Sequence, residues 1–470
     1  MKFDSLEYLL VFLPVTVILY HLVRTRTLFA NLVILSASYV FYAWGSSWVL
    51  LLLIFSSVAD YFIGNAIYRA PTPAKRKFFL VASCVFNLGF LSIFKYGNWI
   101  SVMLHSAWHT FPILDVPLPY GISFYTFQSL SYTIDIYRRR LKPQGTIVDY
   151  LSFVSFFPHL VAGPILKAVQ TLPQLERVRP KVHPKIAEKA FFMIVWGLFK
   201  KMVCADNLGM LVSMCRDKLD RPGAGLILVL AFTFQIYCDF SAYTDIARGT
   251  ARLFGVRIPR NFMTPYFSRS PSEFWSRWHI SLSTWIRDYL YIPLGGNRGS
   301  RLRACFNLLV TMFLAGLWHG AGKFFIFWGL YHGLLLILYR FAPLEVLLPR
   351  LLGRVTGNIM AWAIMFVLVV EGWILFFSDR TKTYDRITHS LLQFFTHPID
   401  TLMPVWAWGL ALYTVPIILS DIIGYRARRE FVDVYLRLSL VAKIALYMGL
   451  FYAIVFFAAR DTYDFIYFRF

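Results

Sequence analysis

The 470-residue chain is 58% hydrophobic and only 15% charged, and its mean hydropathy is +0.57. This composition excludes a soluble globular protein, because too few polar residues remain to cover the surface. The formal net charge of +22 comes from short Lys and Arg clusters between apolar runs, which is typical of membrane-protein loops rather than of nucleic-acid-binding proteins. We therefore expect a polytopic membrane protein, surrounded by lipid, that binds no nucleic acid.

About twelve apolar runs are long enough to cross a bilayer as helices. In chain order they lie near residues 6–23, 27–43, 48–68, 78–94, 121–137, 188–204, 224–250, 304–318, 322–340, 359–378, 404–424 and 440–459. The pattern predicts one all-α domain over residues 1–470, with about 11–12 transmembrane helices around a central tunnel and an aromatic tail at 460–470. The N-terminus has no basic segment and no small-residue cleavage site, so we expect the first helix to be retained.

Basic residues sort the connecting segments into two sets. Basic clusters follow the first, third, fifth and eleventh runs, and another precedes the eighth. Arg138, Arg139 and Arg140, which follow the fifth run, form one of them. The positive-inside rule assigns these segments to the cytoplasm. Both termini are then extracytoplasmic, and 205–223 and 379–400 are external loops of mixed charge.

Two segments are interrupted in a way that simple spanning helices are not. One runs from Tyr150 to Pro164 and contains Pro158; the other surrounds His279. Membranes tolerate broken helices only where protein or a water-filled cavity satisfies the freed backbone groups. We expect both segments to be re-entrant or horizontal elements that line a polar cavity. No internal repeat is evident, which argues against a transporter built from inverted halves.

The stretch from Phe274 to Gly320 carries two histidines, His279 in a polar run and His319 at the end of an apolar run. Ionisable residues at membrane depth are costly and are therefore functional candidates. The alternative is that each imidazole bonds a backbone carbonyl inside the bundle. The seventh run likewise contains Asp239 and Asp245, which either face a cavity or pin the helices together.

Metal and disulfide chemistry are not indicated. The five cysteines stand singly, and their odd number argues against a complete disulfide framework. No Cys or carboxylate joins the two histidines at metal-ligand spacing, so we predict no metal site.

The central motif WSRWHISLSTWIRDYLYIPLGGNRGS, followed by GLWHG, resembles the membrane-bound O-acyltransferase superfamily. The likeness is to the bacterial branch with the alginate O-acetylation membrane protein and the peptidoglycan O-acetyltransferase A proteins. It extends over essentially the whole chain, and Ala242 replaces a common glycine. The supporting matches are YGISFYTFQSLSYTIDIYR from Tyr120, FFPHLVAGPI from Phe156, DFSAYTDIARG from Asp239, NFMTPYFSRSPSEFWSRWH from Asn261 and the terminal FIYFRF.

The resemblance implies roles for three residues. His319 corresponds to the essential histidine of the WHG motif, His279 to the second histidine, and Tyr467 to a terminal tyrosine proposed as a transient acyl carrier. The implied donor is cytoplasmic acetyl-CoA, with no permanently bound cofactor. The implied acceptor is an extracytoplasmic polysaccharide, either peptidoglycan, alginate or another exopolysaccharide. An extracytoplasmic serine-esterase-like acetyltransferase is the implied partner, and the bacterial cytoplasmic membrane is the implied location.

Other candidate binding residues follow from the chemistry that acyl transfer requires. An oxyanion needs a hydrogen-bond donor, for which Arg287 and Asn297 are candidates. Trp318, next to His319, and the two acids Asp239 and Asp245 complete the predicted binding residues. Arg298, Arg301 and Arg303 either attract coenzyme A phosphates or only mark a cytoplasmic loop. Acylation of a lipid or protein, and a non-enzymatic transporter or scaffold for polysaccharide export, remain alternatives.

Overall fold

The structure is a computed structural model that describes residues 1–45, 47–143, 145–161, 163–378, 381–398, 401–460 and 463–466. Every regular element among these residues is helical, which confirms the predicted all-α membrane protein. Eight helices in the described parts are long and apolar enough to cross a membrane: Ser47–Arg69, Pro73–Ala107, Ala224–Leu253, Arg301–His319, Lys323–Phe341, Arg354–Phe377, Met403–Ala427 and Leu440–Phe457. Glu7–Val23 and Thr27–Ala43 are shorter apolar helices.

The remaining two predicted runs are also helical, although neither has the length and apolarity of a spanning helix. They are Ile122–Tyr137 and Pro184–Leu198, the second of which continues into the π-helical turn Phe199–Ala205. The chain forms two compact units, Met1–Ile194 with Thr244–Pro259 and Val195–Tyr243 with Arg260–Phe470. That all of 1–470 acts as one domain stays a prediction.

The first unit contains the N-terminal helices and the first interrupted segment. This segment begins at a capping box, in which Thr146 and Asp149 each bond the other's backbone N–H, and it breaks at Phe156. The break buries His159, which is hydrogen-bonded to Gln128 at 2.9 Å, and the predicted interruption is thus confirmed. Helices lying entirely in this unit are Glu7–Phe12, Leu13–Val23, Thr27–Ala43, Ser47–Arg69, Pro73–Ala107, Ile122–Tyr137, Ile147–Ser155, Phe157–Leu160 and Ala168–Leu175.

The second unit is organised by a helical hairpin, Arg301–His319 followed by Lys323–Phe341. Gly316 and Gly329 face one another where the two backbones meet, and a Cβ at either position would overlap backbone of the other helix. Small residues permit this close approach. The contact fixes the C-terminal end of the helix Arg301–His319. The unit's other helices are Phe199–Ala205, Asp206–Arg216, Pro265–Phe267, Pro271–Arg277, Ile280–Ile286, Arg287–Tyr291, Leu344–Leu352, Arg354–Phe377, Thr381–Thr396, Met403–Ala427, Phe431–Tyr435 and Leu440–Phe457.

The two segments predicted as external loops are partly helical. Residues Asp206–Arg216 and Thr381–Thr396 form helices. The second is an amphipathic helix that buries only a stripe, here including Ile387 and Ser390. These helices were not predicted from the sequence, and the assignment of both segments to the external side stays a prediction.

The predicted orientation of the chain can be tested by cysteine labelling. Lys2, Ala74 and Arg460 are all exposed. Burial within the protein would therefore not prevent a cysteine at any of these positions from reacting. We expect Lys2→Cys and Arg460→Cys to react with a membrane-impermeant thiol reagent in spheroplasts, and Ala74→Cys to react only after lysis. The background is a chain whose five native cysteines are replaced. Labelling of Ala74→Cys alone in intact spheroplasts would reverse the topology.

Candidate active site

His279 lies at the break between the helices Pro271–Arg277 and Ile280–Ile286. Its backbone is left-handed, with φ +41°, and its side chain is fully buried. A non-glycine residue in this conformation costs about 1–3 kcal/mol and persists only where its surroundings fix it. Here Asn261 provides that support, because its carbonyl oxygen accepts from Ile280 N and its Oδ1 accepts from the Ser281 hydroxyl at 2.6 Å. The predicted interruption is confirmed, and it places the His279 side chain in the buried interior of the second unit.

His319 is the last residue of its helix, and Gly320 continues in an extended conformation. The imidazole is 3% exposed and packs edge-on against Trp328 at 4.8 Å and Phe376 at 5.3 Å between ring centroids. Such aromatic walls exclude water, which strengthens any hydrogen bond that the ring makes with a reacting group.

Trp318 connects the two histidines. Its ring centroid lies 4.9 Å from that of His319 and 6.0 Å from that of His279. The structure therefore brings His279, Trp318 and His319 into one buried cluster, as expected for a single site. Their catalytic roles stay predictions, because proximity alone does not distinguish a reacting histidine from a packed one.

A cavity of about 160 Å³ reaches His319. Its wall is mostly apolar, and its polar side chains besides His319 include Arg287, Ser283 and Thr311. A water molecule in the liquid occupies about 30 Å³, so the cavity has room for a short acyl group beside the imidazole.

The two oxyanion candidates differ in position. Arg287 lines the cavity, although its guanidinium also pairs with Asp288 at 2.8 Å. Asn297 is exposed, and its Oδ1 accepts from the Tyr291 hydroxyl and from Arg340, both at 2.8 Å. The geometry therefore favours Arg287 over Asn297 for contact with a group held at His319.

The two acids of the seventh run also differ. Asp239 is buried and pairs with Lys201 at 3.0 Å. Asp245 belongs to the first unit and pairs with Arg248, one turn further along its helix, at 3.5 Å. Sequence reasoning missed Lys201, although a lysine pair within an apolar run is the same costly feature that marked the two acids.

Residues 463–466 of the C-terminal tail insert into the second unit. Phe465 is 0% exposed, and its ring packs 4.4 Å from Tyr243 and 5.7 Å from Phe240. The ring centroid of Phe240 lies 4.6 Å from that of His279. Phe465 is thus one aromatic ring away from the histidine cluster. Tyr467, the predicted acyl carrier, lies outside the described residues.

Among the described residues of the second unit, a third buried histidine, His332, is absent from the predicted set. Its ring stacks on Phe274 at 6.0 Å and contacts Trp275 and Trp328 edge-on at 5.1 and 5.0 Å. The sequence signal was a Tyr-His-Gly within an apolar run, similar in form to the Trp-His-Gly of His319. Its neighbours are packing aromatics, and it does not line the cavity at His319.

Comparison with known proteins places this cluster in a family context. The profile of the membrane-bound O-acyltransferase family matches residues 138–378, which include both histidines. A probable alginate O-acetylase, AlgI, from Pseudomonas aeruginosa is 39% identical over 92% of this chain and 82% of its own length. A peptidoglycan O-acetyltransferase from Helicobacter pylori is 33% identical over 83% and 79%. A teichoic acid D-alanyltransferase from Bacillus subtilis is 26% identical over 52% and 66%.

Proposed function

The chain belongs to the membrane-bound O-acyltransferase family and is an O-acyltransferase, and from that premise we propose that it moves acetyl groups from cytoplasmic acetyl-CoA towards an extracytoplasmic polysaccharide. The observation that carries the proposal is the buried His319 on the wall of a small apolar cavity. A purified chain that transfers radiolabelled acetyl from acetyl-CoA to itself or to a carbohydrate would support it. If all label stayed on coenzyme A, the remaining interpretation would be a transporter or a scaffold.

The acetyl group is favoured over other acyl groups by the pattern of relatives. Alginate and peptidoglycan O-acetyltransferases match over most of this chain at 33–39% identity, whereas a D-alanyltransferase matches over 52% of it at 26%. The small cavity at His319 agrees with a two-carbon group. We propose the bacterial cytoplasmic membrane as the location, with a secreted serine-esterase-like acetyltransferase as the partner that delivers the acetyl group to the polysaccharide.

The proposed first step is acetylation of Tyr467. A neutral imidazole at His319 takes the phenol proton as the oxygen attacks the thioester carbonyl. The carbon–sulfur bond breaks, and the coenzyme A sulfur leaves and takes up the proton from the imidazolium. Arg287 is the proposed donor to the oxyanion formed in between.

The second step passes the acetyl group to an acceptor hydroxyl. An unperturbed phenol has a pKa of about 10, so a tyrosine ester keeps a better leaving group than a serine ester. Transfer potential is thereby preserved until the acceptor attacks, when the phenol is regenerated. The buried neighbours Phe465 and Ile466 support this proposal, because they dock the residues just before Tyr467 beside the histidine cluster.

A basic cavity in the first unit supports acetyl-CoA as the donor. The cavity has a volume of about 490 Å³, and the described residues that line it include Arg177, Lys181, Arg252 and Arg257 and no carboxylate. Gln174 fixes one wall, since its amide accepts from Arg257 N at 2.9 Å and donates to Arg257 O at 3.1 Å. Clustered cations suit the phosphates of a nucleotide-bearing donor. By the predicted topology, these residues lie on the cytoplasmic side.

We expect Arg177→Gln with Lys181→Gln to raise KM for acetyl-CoA about 10-fold or more, with a smaller change in kcat. The reason is the loss of charge-assisted hydrogen bonds, each worth about 1.5–3 kcal/mol. The measurement is initial-rate transfer at varied acetyl-CoA. Arg301→Gln with Arg303→Gln is the matched comparison, because both are exposed arginines on the predicted cytoplasmic side. A KM effect confined to this second pair would assign the phosphates to that loop instead.

A further inference from the structure

We propose that Lys201 and Asp239 form a clamp that grips the main chain of the C-terminal tail and positions it for transfer. The grip itself rests on contacts between described residues. Its role in transfer rests on the proposed function, in which the tail carries the acetyl group. We call Lys201 and Asp239 the tail clamp.

The tail clamp holds backbone groups rather than side chains. The Ile466 N–H donates to Asp239 Oδ2 at 2.7 Å, and the Lys201 ammonium donates to the Tyr463 carbonyl oxygen at 2.7 Å. The four residues 463–466 are thus bonded at both ends. Because these bonds are made to the main chain, they fix where the tail lies. They do not constrain which side chains follow.

The charges of the clamp are deeply buried. The side chains of Lys201, Asp239 and Asp206 are 2%, 4% and 2% exposed, and Lys201 pairs with Asp206 at 2.8 Å. An ammonium has three donors, and here they go to two carboxylates and to the tail carbonyl. Without the tail, Lys201 would lose an acceptor and Asp239 a donor in a place where unsatisfied charge is costly. The tail therefore completes the cluster, and the cluster is suited to bind it.

The local backbone around the lysine is unusual. Lys201 lies in the π-helical turn Phe199–Ala205, and such turns frequently occur at functional sites. The residues just before the tail are bonded to the same region. Ala459 N donates to Met202 O at 3.0 Å, and the Asn207 amide donates to Phe457 O at 2.8 Å.

The docked tail reaches the candidate site through aromatic contacts. The clamp seats Phe465 against Phe240, which in turn contacts His279 at 4.6 Å. An aromatic anchor at a membrane interface would need the apolar contacts but no buried ion pair. The tail has both the apolar contacts and the contacts to the ion pair. Together they fix the position of the tail as well as its attachment.

Ile466→Pro tests the grip without disturbing the buried ions. Proline removes the Ile466 N–H that donates to Asp239, whereas Ile466→Ala keeps the N–H and removes most of the side chain. Docking is read from intact mass during limited tryptic digestion of the purified full chain, as cleavage after the exposed Arg460, which is remote in sequence from the substituted position. A hydrogen bond to a charged group corresponds to about a 10- to 100-fold change in equilibrium. We expect cleavage after Arg460 to be faster by that factor in Ile466→Pro than in Ile466→Ala.

Three further measurements complete the test. Asp60→Asn is the control, because Asp60 is also a buried acid of a spanning helix and bonds Ser83 and Asn87 instead; we expect its tail to stay protected. In an Asp239→Asn background, Ile466→Pro should add little to the digestion rate, since coupled partners are not additive. Acetyl transfer from radiolabelled acetyl-CoA should fall at least about 10-fold in Ile466→Pro relative to Ile466→Ala.

Equal digestion of Ile466→Pro and Ile466→Ala would overturn the clamp, whatever happens to transfer. Faster digestion with unchanged transfer to the polysaccharide would show a grip without a positioning role and would overturn the second half of the proposal. A chain that cannot self-acetylate even as wild type contradicts the proposed function, while the digestion result still decides the grip.

Discussion

We expect His319→Gln to lower acetyl transfer by about 10²- to 10⁴-fold, which is the range that a general base contributes. Glutamine retains a hydrogen-bond donor and much of the volume, so it preserves the packing of the ring pocket formed with Trp328 and Phe376. It cannot accept a proton from an attacking hydroxyl at neutral pH. The measurement is radiolabelled acetyl transfer by purified protein, with size-exclusion chromatography to verify that the variant is folded.

The control for this prediction is His105→Ala. His105 lies near the end of the helix Pro73–Ala107 in the first unit and bonds the Phe111 carbonyl at 2.8 Å, so its loss should change transfer less than about twofold. If well-folded His319→Gln transferred acetyl at the wild-type rate, His319 would have only a packing role. Another residue would then be the general base.

We expect Tyr467→Phe to abolish polysaccharide acetylation. The substitution removes only the hydroxyl and keeps the ring, so a tail that serves as an anchor would tolerate it. Full burial of a Phe side chain is worth roughly 1.5–3 kcal/mol. Buried Phe465 therefore stabilises a docked tail in the variant as in the wild type. The measurement is polysaccharide O-acetylation in cells that express the variant at wild-type level.

Tyr463→Phe is the matched control, because it removes a hydroxyl from the same tail and keeps the carbonyl that Lys201 binds. Normal acetylation is expected there. Normal acetylation by Tyr467→Phe as well would mean that the acetyl group passes from coenzyme A to the partner without a tyrosine ester.

Much of the fold follows from local sequence features. Apolar runs predict the helices because burial of a spanning helix depends on composition over about twenty residues. The breaks at Phe156 and His279 were also predictable, since Pro158 and the polar residues around His279 are incompatible with an unbroken apolar helix. The helix Thr381–Thr396 was not predicted, because its charges lie on one face of an amphipathic helix and it lacks the continuous apolar run that marks a spanning helix.

The candidate site was predictable only in part. The motif resemblance identified His279, Trp318 and His319, but their convergence on one indole is a tertiary contact that no spacing reveals. Asp239 and Lys201 also form a pair, although they lie 38 positions apart in the sequence (239 minus 201). Their pairing likewise depends on how the helices pack. Asp245 has the same residue type and lies in the same helix, yet it pairs within that helix.

The central claim is that acetyl from acetyl-CoA rests on the tail before it leaves the enzyme. The most direct measurement is mass spectrometry of the purified enzyme after brief exposure to isotopically labelled acetyl-CoA. Trypsin releases residues 461–469, which contain Tyr463 and Tyr467, and fragment ions distinguish them. We predict labelled acetyl on Tyr467 in the wild type and none in His319→Gln. A wild-type enzyme that acetylates polysaccharide at full rate while this peptide stays unlabelled would contradict the account.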